Sequence, residues 1–443
     1  MKKLFFALFM IAFATLTLQA QDGKKALNEA KRALSAFNLD NSNKAKLQEA
    51  KDAIDLATQA SEVQGLADLW NTKGNLYNEI ASQIVTIRQL GIGNVEELPK
   101  VEGNPALIAS EAYRKAMEVA LKKPEKKDAL QGMQSAQNNL NNLGFNDYEA
   151  GKYAEAYAAF TEVIATHDIL KNNGEESALK SEDDFNNQLY IAGLSALNAQ
   201  KSAEALSFFE KLYQIQFDKP AIYEALYEIK SKETSPEQAY TYLEAGRNRY
   251  PDEISLLFAD INHHLRINKL DVLIGKLQMA IEKEPDNVSL YTTTGSVYDN
   301  LYQREFEAGN MAKADEYFNK ALEYFNLALA KDANYFDAIY SAGALYYNKA
   351  ATMTKDLQKL ADDYSKEGLK KYEAKREEIF KQFDQALPYF KRCEKLDPSD
   401  MNTLIALKEI FARRDDLETS NEFKKRLETV QGGGKIEKPY FND

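Results

Sequence analysis

The strongest constraint on this chain is a glycine that keeps returning inside helix-like stretches, at a fixed distance from large neighbours. In "LWNTKGNLY" (69–77), Trp70, Gly74 and Tyr77 stand at i, i+4 and i+7, positions that share one face of a helix. The same order of large, absent and large side chains recurs at Tyr291/Gly295/Tyr298 and Ile339/Gly343/Tyr346, in part at Leu189/Gly193, and as a variant at Leu140/Leu143/Gly144. A glycine within a helix costs about 1 kcal/mol relative to alanine. A chain that incurs this cost repeatedly must use the gap, and the reading is that a second helix presses close at each glycine.

The second helix can be read as well. Each glycine stretch is followed by Ala, then an aromatic four residues on, then a small or apolar residue three further: Ala156/Phe160/Val163, Ala205/Phe209/Leu212, Ala321/Phe325/Ala328 and Ala386/Phe390/Cys393. Turns such as "RYPDE", "KEPDN" and "KLDPSD" close the units, and both Pro251 to Pro285 and Leu257 to Tyr291 span 34 residues. This pattern resembles the tetratricopeptide repeat, with its W-x2-L-G-x2-Y, A-x3-F and P positions. Trp70-x2-Lys73-Gly74-x2-Tyr77 departs from it only at Lys73. The resemblance runs along nearly all of the chain after residue 20. It implies an all-α, right-handed α-solenoid of helical hairpins with a concave inner face.

Spacing then sets the expected organisation. Residues 1–20 read as an export signal: Lys2 and Lys3, an apolar core from Leu4 to Leu18, and a cut near Ala20/Gln21. That core is too short to span a bilayer, so the expectation is an exported, periplasmic protein without a transmembrane segment, with peripheral association at the envelope left open. Repeats are expected over 21–170 and 186–287, separated by a solvated loop insertion at 171–185. Gly295 to Gly343 is 48 residues, so the last two full repeats, 288–399, should be elongated hairpins, the second turning near Lys366–Leu369. A capping helical pair follows at 400–430, and "GGG" releases a flexible tail at 431–443.

Function is read from the groove positions that the resemblance implies. In the first half these include Asn71, Asn75, Asn78, Asn138, Asn141, Tyr148, Tyr190 and Asn198. In the second half they include Asn262, Asn300, Tyr347 and Asn348. An amide donates and accepts at once, so an asparagine ladder could hold an extended peptide backbone; the competing explanation is that asparagine is simply common on this protein's polar helix faces. Family members that clamp a terminal carboxylate carry lysine at the second groove position of a repeat. Here that position reads Asn71, Asn141, Tyr190, Glu224, Phe258, Thr292 and Tyr340, so that mode is not expected.

The net charge of −12 argues against a nucleic-acid binder, which needs a basic surface. No catalytic, cofactor or metal constellation is found. His263 and His264 are adjacent, so on a helix they diverge by about 100° and cannot share a metal. Cys393, the only cysteine, takes a small-residue packing position. "SALK" (177–180) lacks the companion motifs of Ser-x-x-Lys enzymes, and "GIG" (91–93) follows a helix rather than a strand. The expectation is a non-enzymatic scaffold for a protein or peptide partner. The alternative is a carbohydrate- or peptidoglycan-binding module, since tyrosine and asparagine also suit sugars.

Overall fold

The computed structural model describes residues 22–441; the expected export signal and its cut near Ala20/Gln21 lie outside them. The described residues are helical throughout apart from turns and loops, with no strand among them. The chain divides into two compact units, Met1–Thr234 and Ser235–Asp443. The division falls within the repeats expected over 186–287.

The first unit contains α1 (22–39), α2 (Ala45–Gln59), α3 (Ala67–Leu90), α4 (Pro105–Val119), α5 (Lys123–Glu149), α6 (Tyr153–Asn172), α7 (Glu182–Asn198), α8 (Ser202–Gln214) and α9 (Ala221–Glu233). The second contains α10 (Pro236–Arg249), α11 (Ile254–Arg266), α12 (Leu270–Lys283), α13 (Val288–Glu307), α14 (Met311–Lys331), α15 (Phe336–Leu360), α16 (Lys366–Leu396), α17 (Met401–Arg413) and α18 (Leu417–Gln431). Within each unit, consecutive helices pack as hairpins and successive hairpins stack, the arrangement of an all-α helical repeat. One core runs along α1 to α5 in the first unit, and another along α11 to α15 in the second.

The recurring glycines show what fills their gaps. The occupant is an aromatic ring from the second helix of the same hairpin rather than bare backbone. A Cβ built on Gly144 would lie 2.8 Å from the Phe160 ring, one on Gly193 3.1 Å from Phe209, and one on Gly295 2.5 Å from Phe325. At Gly343 the neighbours are Tyr389 and Phe390, and at Gly74 the ring is Tyr113. Phe160, Phe209, Phe325 and Phe390 are the aromatics of the Ala-x3-Phe signal, so the two halves of the repeat signature meet in one contact. This ring-in-gap packing is present in both units.

The hairpin turns share a second device that composition conceals. Gly151, Gln200, Asn268, Gly309 and Asp415 all have positive φ, from 55° to 79°. Each follows the first helix of its hairpin, and the next residue donates back across the turn: Lys152 N to Asp147 O at 2.8 Å, Lys201 N to Ala196 O at 2.8 Å, Lys269 N to His264 O at 3.0 Å. This left-handed cap satisfies carbonyls that the helix end would otherwise strand.

The elongation has the size that the spacing requires. Helices α11 and α12 have 13 and 14 residues, α13 and α14 have 20 and 21, and α15 and α16 have 25 and 31. The turn of the longest hairpin falls at 361–365 rather than near Lys366–Leu369, because Ser365 caps α16 and accepts from Gly368 N at 3.0 Å. Helix α16 continues through Pro388.

Two segments differ from expectation. The connection read as 171–185 is shorter, since α6 runs to Asn172 and the Ser181/Asp184 capping box starts α7 at Glu182. Nor is it solvated throughout. Ser177 and Leu179 are buried, and the fully buried Gln137 holds the segment by accepting from Ser177 Oγ (3.0 Å) and Ala178 N (2.6 Å). Residues 436–441, expected to be a free tail, instead pack on the last two hairpins. Tyr440 N and Phe441 N donate to the carboxylate of Glu394, which is 0% exposed. A buried charge must be paired and hydrogen-bonded, and the sequence pattern carried no sign that Glu394 is buried.

Candidate functional site

A polar groove lies in the first unit, over α1, α3 and α5. Asp68, Asn71, Asn75, Asn78 and Glu79 recur on α3 at intervals that keep them on one face, and Glu125, Asp128, Gln131 and Ser135 do the same on α5. Lys31, Ser35 and Asn38 of α1 complete a groove of about 700 Å³. Its floor is Tyr113 of α4, whose ring would be struck by a Cβ at either Gly74 or Gly132. Two missing side chains therefore let one ring pass between α3 and α5. Its hydroxyl donates to Asn75 Oδ1 at 2.9 Å, and burial raises its pKa, keeping it a donor.

Amides stitch the groove walls together. Asn71 Nδ2 donates to Glu125 O at 3.1 Å, Asn78 Nδ2 to Ser135 Oγ at 3.0 Å, and Asn139 Nδ2 to Asn78 Oδ1 at 2.8 Å. Several groove asparagines thus spend donors on the neighbouring helix. Asn71 Oδ1 and Asn141 Oδ1 are buried with no hydrogen-bond partner among the described residues. Asp68, Glu79, Glu125 and Asp128 place four carboxylates around the groove against one ammonium, Lys31, which is paired with Asp68. The groove is acidic and rich in hydrogen-bonding groups.

The structure brings Asn71, Asn75 and Asn78 together in this groove and leaves other expected residues outside it. Asn138 is exposed and Asn141 half-buried on α5. Asn198 donates to the Tyr148 hydroxyl at 3.2 Å, joining α7 to α5. Tyr190 has Lys219 5.8 Å from its ring centre, and burial raises its pKa. In the second unit Asn300 lines a groove of about 320 Å³ with Ser289, Thr292, Ser296, Asp337 and Tyr340. Asn262 is exposed, and Asn348 is half-buried. Tyr347 stacks edge-on against Phe383 at 5.4 Å and Phe390 at 6.1 Å, so its ring belongs to its own hairpin's core.

Sequence reasoning missed Asn139, Ser135 and the Tyr113 floor. Asn139 lies one position off the family's groove register, and Ser135 lies three residues before that register's first position, Asn138. Tyr113 comes from a helix whose residues that register does not sample; Gly132, which with Gly74 meets its ring, is the sequence position that could have pointed to it.

Histidines and the cysteine are accounted for by packing. His263 stacks on Tyr240 at 4.3 Å, and His264 faces the buried Asp260 at 3.0 Å; Asp260 also accepts from the Tyr240 hydroxyl and from Lys276. His167 and Ser177 stand 2.9 Å apart, with Ser177 a buried residue of the 173–181 connection. Burial pushes the Cys393 thiol up from 9.0 to about 12, the opposite of an activated thiolate. Among the described residues no group of three or more His, Cys, Asp or Glu could hold a metal ion. No described helix is long and apolar enough to cross a membrane.

No protein-family model matches the chain, and no curated protein matches it. Among solved structures, it is similar to YrrB, described as "a TPR protein with an unusual peptide-binding site", at 17% identity, covering 52% of this chain and 98% of that one with a TM-score of 0.33. It is similar to a TPR repeats protein from Bacteroides fragilis at 20% identity, covering 62% and 98% with a TM-score of 0.24. It is also similar to a MamA variant at 17% identity, covering 49% and 100% with a TM-score of 0.33.

Proposed function

We propose that this tetratricopeptide-type chain is a non-enzymatic, exported scaffold that holds an extended segment of a protein partner in the groove over α1, α3 and α5. The observation that carries the reading is the groove's chemistry. It offers amides and carboxylates over a floor fixed by Tyr113, and Asn71 Oδ1 lacks a donor. An extended peptide presents N–H donors along its length, and its ordering cost is offset where the walls are already fixed by Asn–helix bonds. Four carboxylates against one paired lysine favour neutral or basic segments over acidic ones.

The test is a fluorescence-anisotropy screen of peptides of neutral, basic and acidic composition against the intact protein, repeated with Asn75→Ala/Asn78→Ala. Binding by neutral or basic peptides that falls about tenfold or more in the variant supports the reading. Binding that ignores the substitutions removes the groove from it.

One observation favours a second reading. The smaller groove of the second unit is lined by hydroxyls from Ser289, Thr292, Thr293, Ser296, Tyr335, Tyr340 and Ser341. Hydroxyls with a tyrosine ring suit a sugar chain, so a carbohydrate- or peptidoglycan-binding module is the alternative. Co-sedimentation with isolated cell-wall glycan, lost in Tyr340→Ala, would favour it over the peptide scaffold.

A further inference from the structure

The segment that follows the glycine run is bound the way a peptide ligand is bound. Its polar contacts are almost all made through its own backbone. Ile436 N donates to Ser399 Oγ at 2.9 Å, and Ser399 Oγ reaches Ile436 O at 3.4 Å. Lys438 O accepts from Arg426 Nη1 at 3.0 Å. Tyr440 N and Phe441 N donate to Glu394 Oε1 and Oε2 at 2.5 and 3.3 Å. Two side chains serve as anchors: Phe441 stacks on Phe423 at 5.7 Å and Phe411 at 6.3 Å, and the Tyr440 ring meets Phe423 at 5.1 Å.

The receiving face is built independently of the segment. Glu394 comes from α16, Phe411 from α17, and Phe423 and Arg426 from α18; Arg426 also pairs with Glu394 at 3.1 Å and Glu422 at 3.2 Å. Glu394 is 0% exposed with the segment in place, so removing the segment leaves its carboxylate with unfilled acceptor sites beside a bare aromatic face. The connection between helix and segment is Gly432-Gly433-Gly434, which adds no side-chain contact and little stiffness.

We propose that this face of the last two hairpins is a second peptide-binding site, distinct from the groove of the first unit. It takes an extended segment with two adjacent aromatic residues, and it is occupied in cis by residues 436–441. The same segment from a second copy is the partner that fits it in trans. Because the polar contacts read backbone, most of the specificity lies with the aromatic pair. The tether holds the site closed, since a short flexible linker supplies an effective concentration on the order of 1 mM.

The test uses the full chain with a protease site inserted after Gly434, folded first and then cut, with the released segment removed. A fluorescein-labelled peptide, KIEKPYFND, is titrated into the cut and uncut proteins. A second open form is the uncut chain carrying Tyr440→Ser and Phe441→Ser, which stays tethered but loses both anchors. The expected result is saturable binding to both open forms and at least about tenfold weaker binding to the uncut chain. A peptide with both aromatics changed to Ala should not bind. Equal binding to cut and uncut chains, or no binding to either open form, overturns the proposal.

Discussion

A single added methyl group should have opposite effects at two glycines on neighbouring helices. At Gly295 in α13, a Cβ would lie 2.5 and 2.6 Å from two atoms of the Phe325 ring, where ordinary contact begins at 3.4 Å. Relief requires the ring to retreat by roughly 0.9 Å, yet Phe325 is 1% exposed and well-packed interiors yield little. Overpacking of this kind costs about 1–3 kcal/mol, and the better helix propensity of alanine returns about 1 kcal/mol. Gly295→Ala should therefore lose up to about 2 kcal/mol net, and Gly295→Leu about 3 kcal/mol or more. At Gly275 in α12 a Cβ would enter open space, with nothing within 4 Å, so Gly275→Ala should gain about 1 kcal/mol from propensity alone. Both sites lie in the second unit, so circular dichroism at 222 nm during urea unfolding compares them in one transition. Phe325→Leu should relieve Gly295→Ala, with a coupling of about 1 kcal/mol in the double-mutant cycle. Stabilisation by Gly295→Ala would refute the idea that ring-in-gap packing is what the repeated glycines serve.

Gln200→Gly should stabilise by about 0.5–1 kcal/mol, because its φ of 61° is one that glycine adopts without strain; a thermal melt checks it. Cys393 should resist a thiol reagent in the native protein at pH 8 and react on unfolding, since burial raises its pKa to about 12. Its folded pKa lies above the ordinary 9.0, so its contribution to stability is full below pH 9 and is lost as pH rises toward 12; Cys393→Ala should flatten unfolding midpoints measured across that range. Burial and the neighbouring His264 lower the pKa of His263, opposed by Asp260 and Glu237. That contribution is present above the ordinary 6.5 and is lost as pH falls through the lowered value, so His263→Phe should reduce acid destabilisation measured by urea unfolding at successive pH values.

The helical hairpins were legible because their signal is periodic: glycine, aromatic and proline positions recur with enough copies to fix the register. The ring that fills each gap was half legible. The Ala-x3-Phe stretch was visible, but which atoms enter the space left at Gly193 or Gly295 depends on how two helices cross. The groove was legible only as a register, and Asn71, Asn75 and Asn78 from that register line one groove in the structure. It could not reveal that Asn78 is tied to Asn139 and Ser135, or that Tyr347 turns into its own core, because those depend on helix rotation and rotamer. Gln137 and Glu394 lay furthest out of reach. Each is one polar residue among many on its helix, and what it captures is a distant irregular segment with no period of its own.

Photo-crosslinking from within the groove bears most directly on peptide binding. A benzophenone side chain placed at the exposed Ser35 on the groove's α1 wall, in the intact protein, is compared with one at the exposed Gln48 on α2, after irradiation in native envelope extract and mapping of the adducts by mass spectrometry. A peptide-holding groove predicts adducts from position 35 that converge on a few extended, neutral or basic protein segments, and that disappear when an excess of the matching synthetic peptide is added. Adducts shared equally by positions 35 and 48, or unaffected by that peptide, would contradict it.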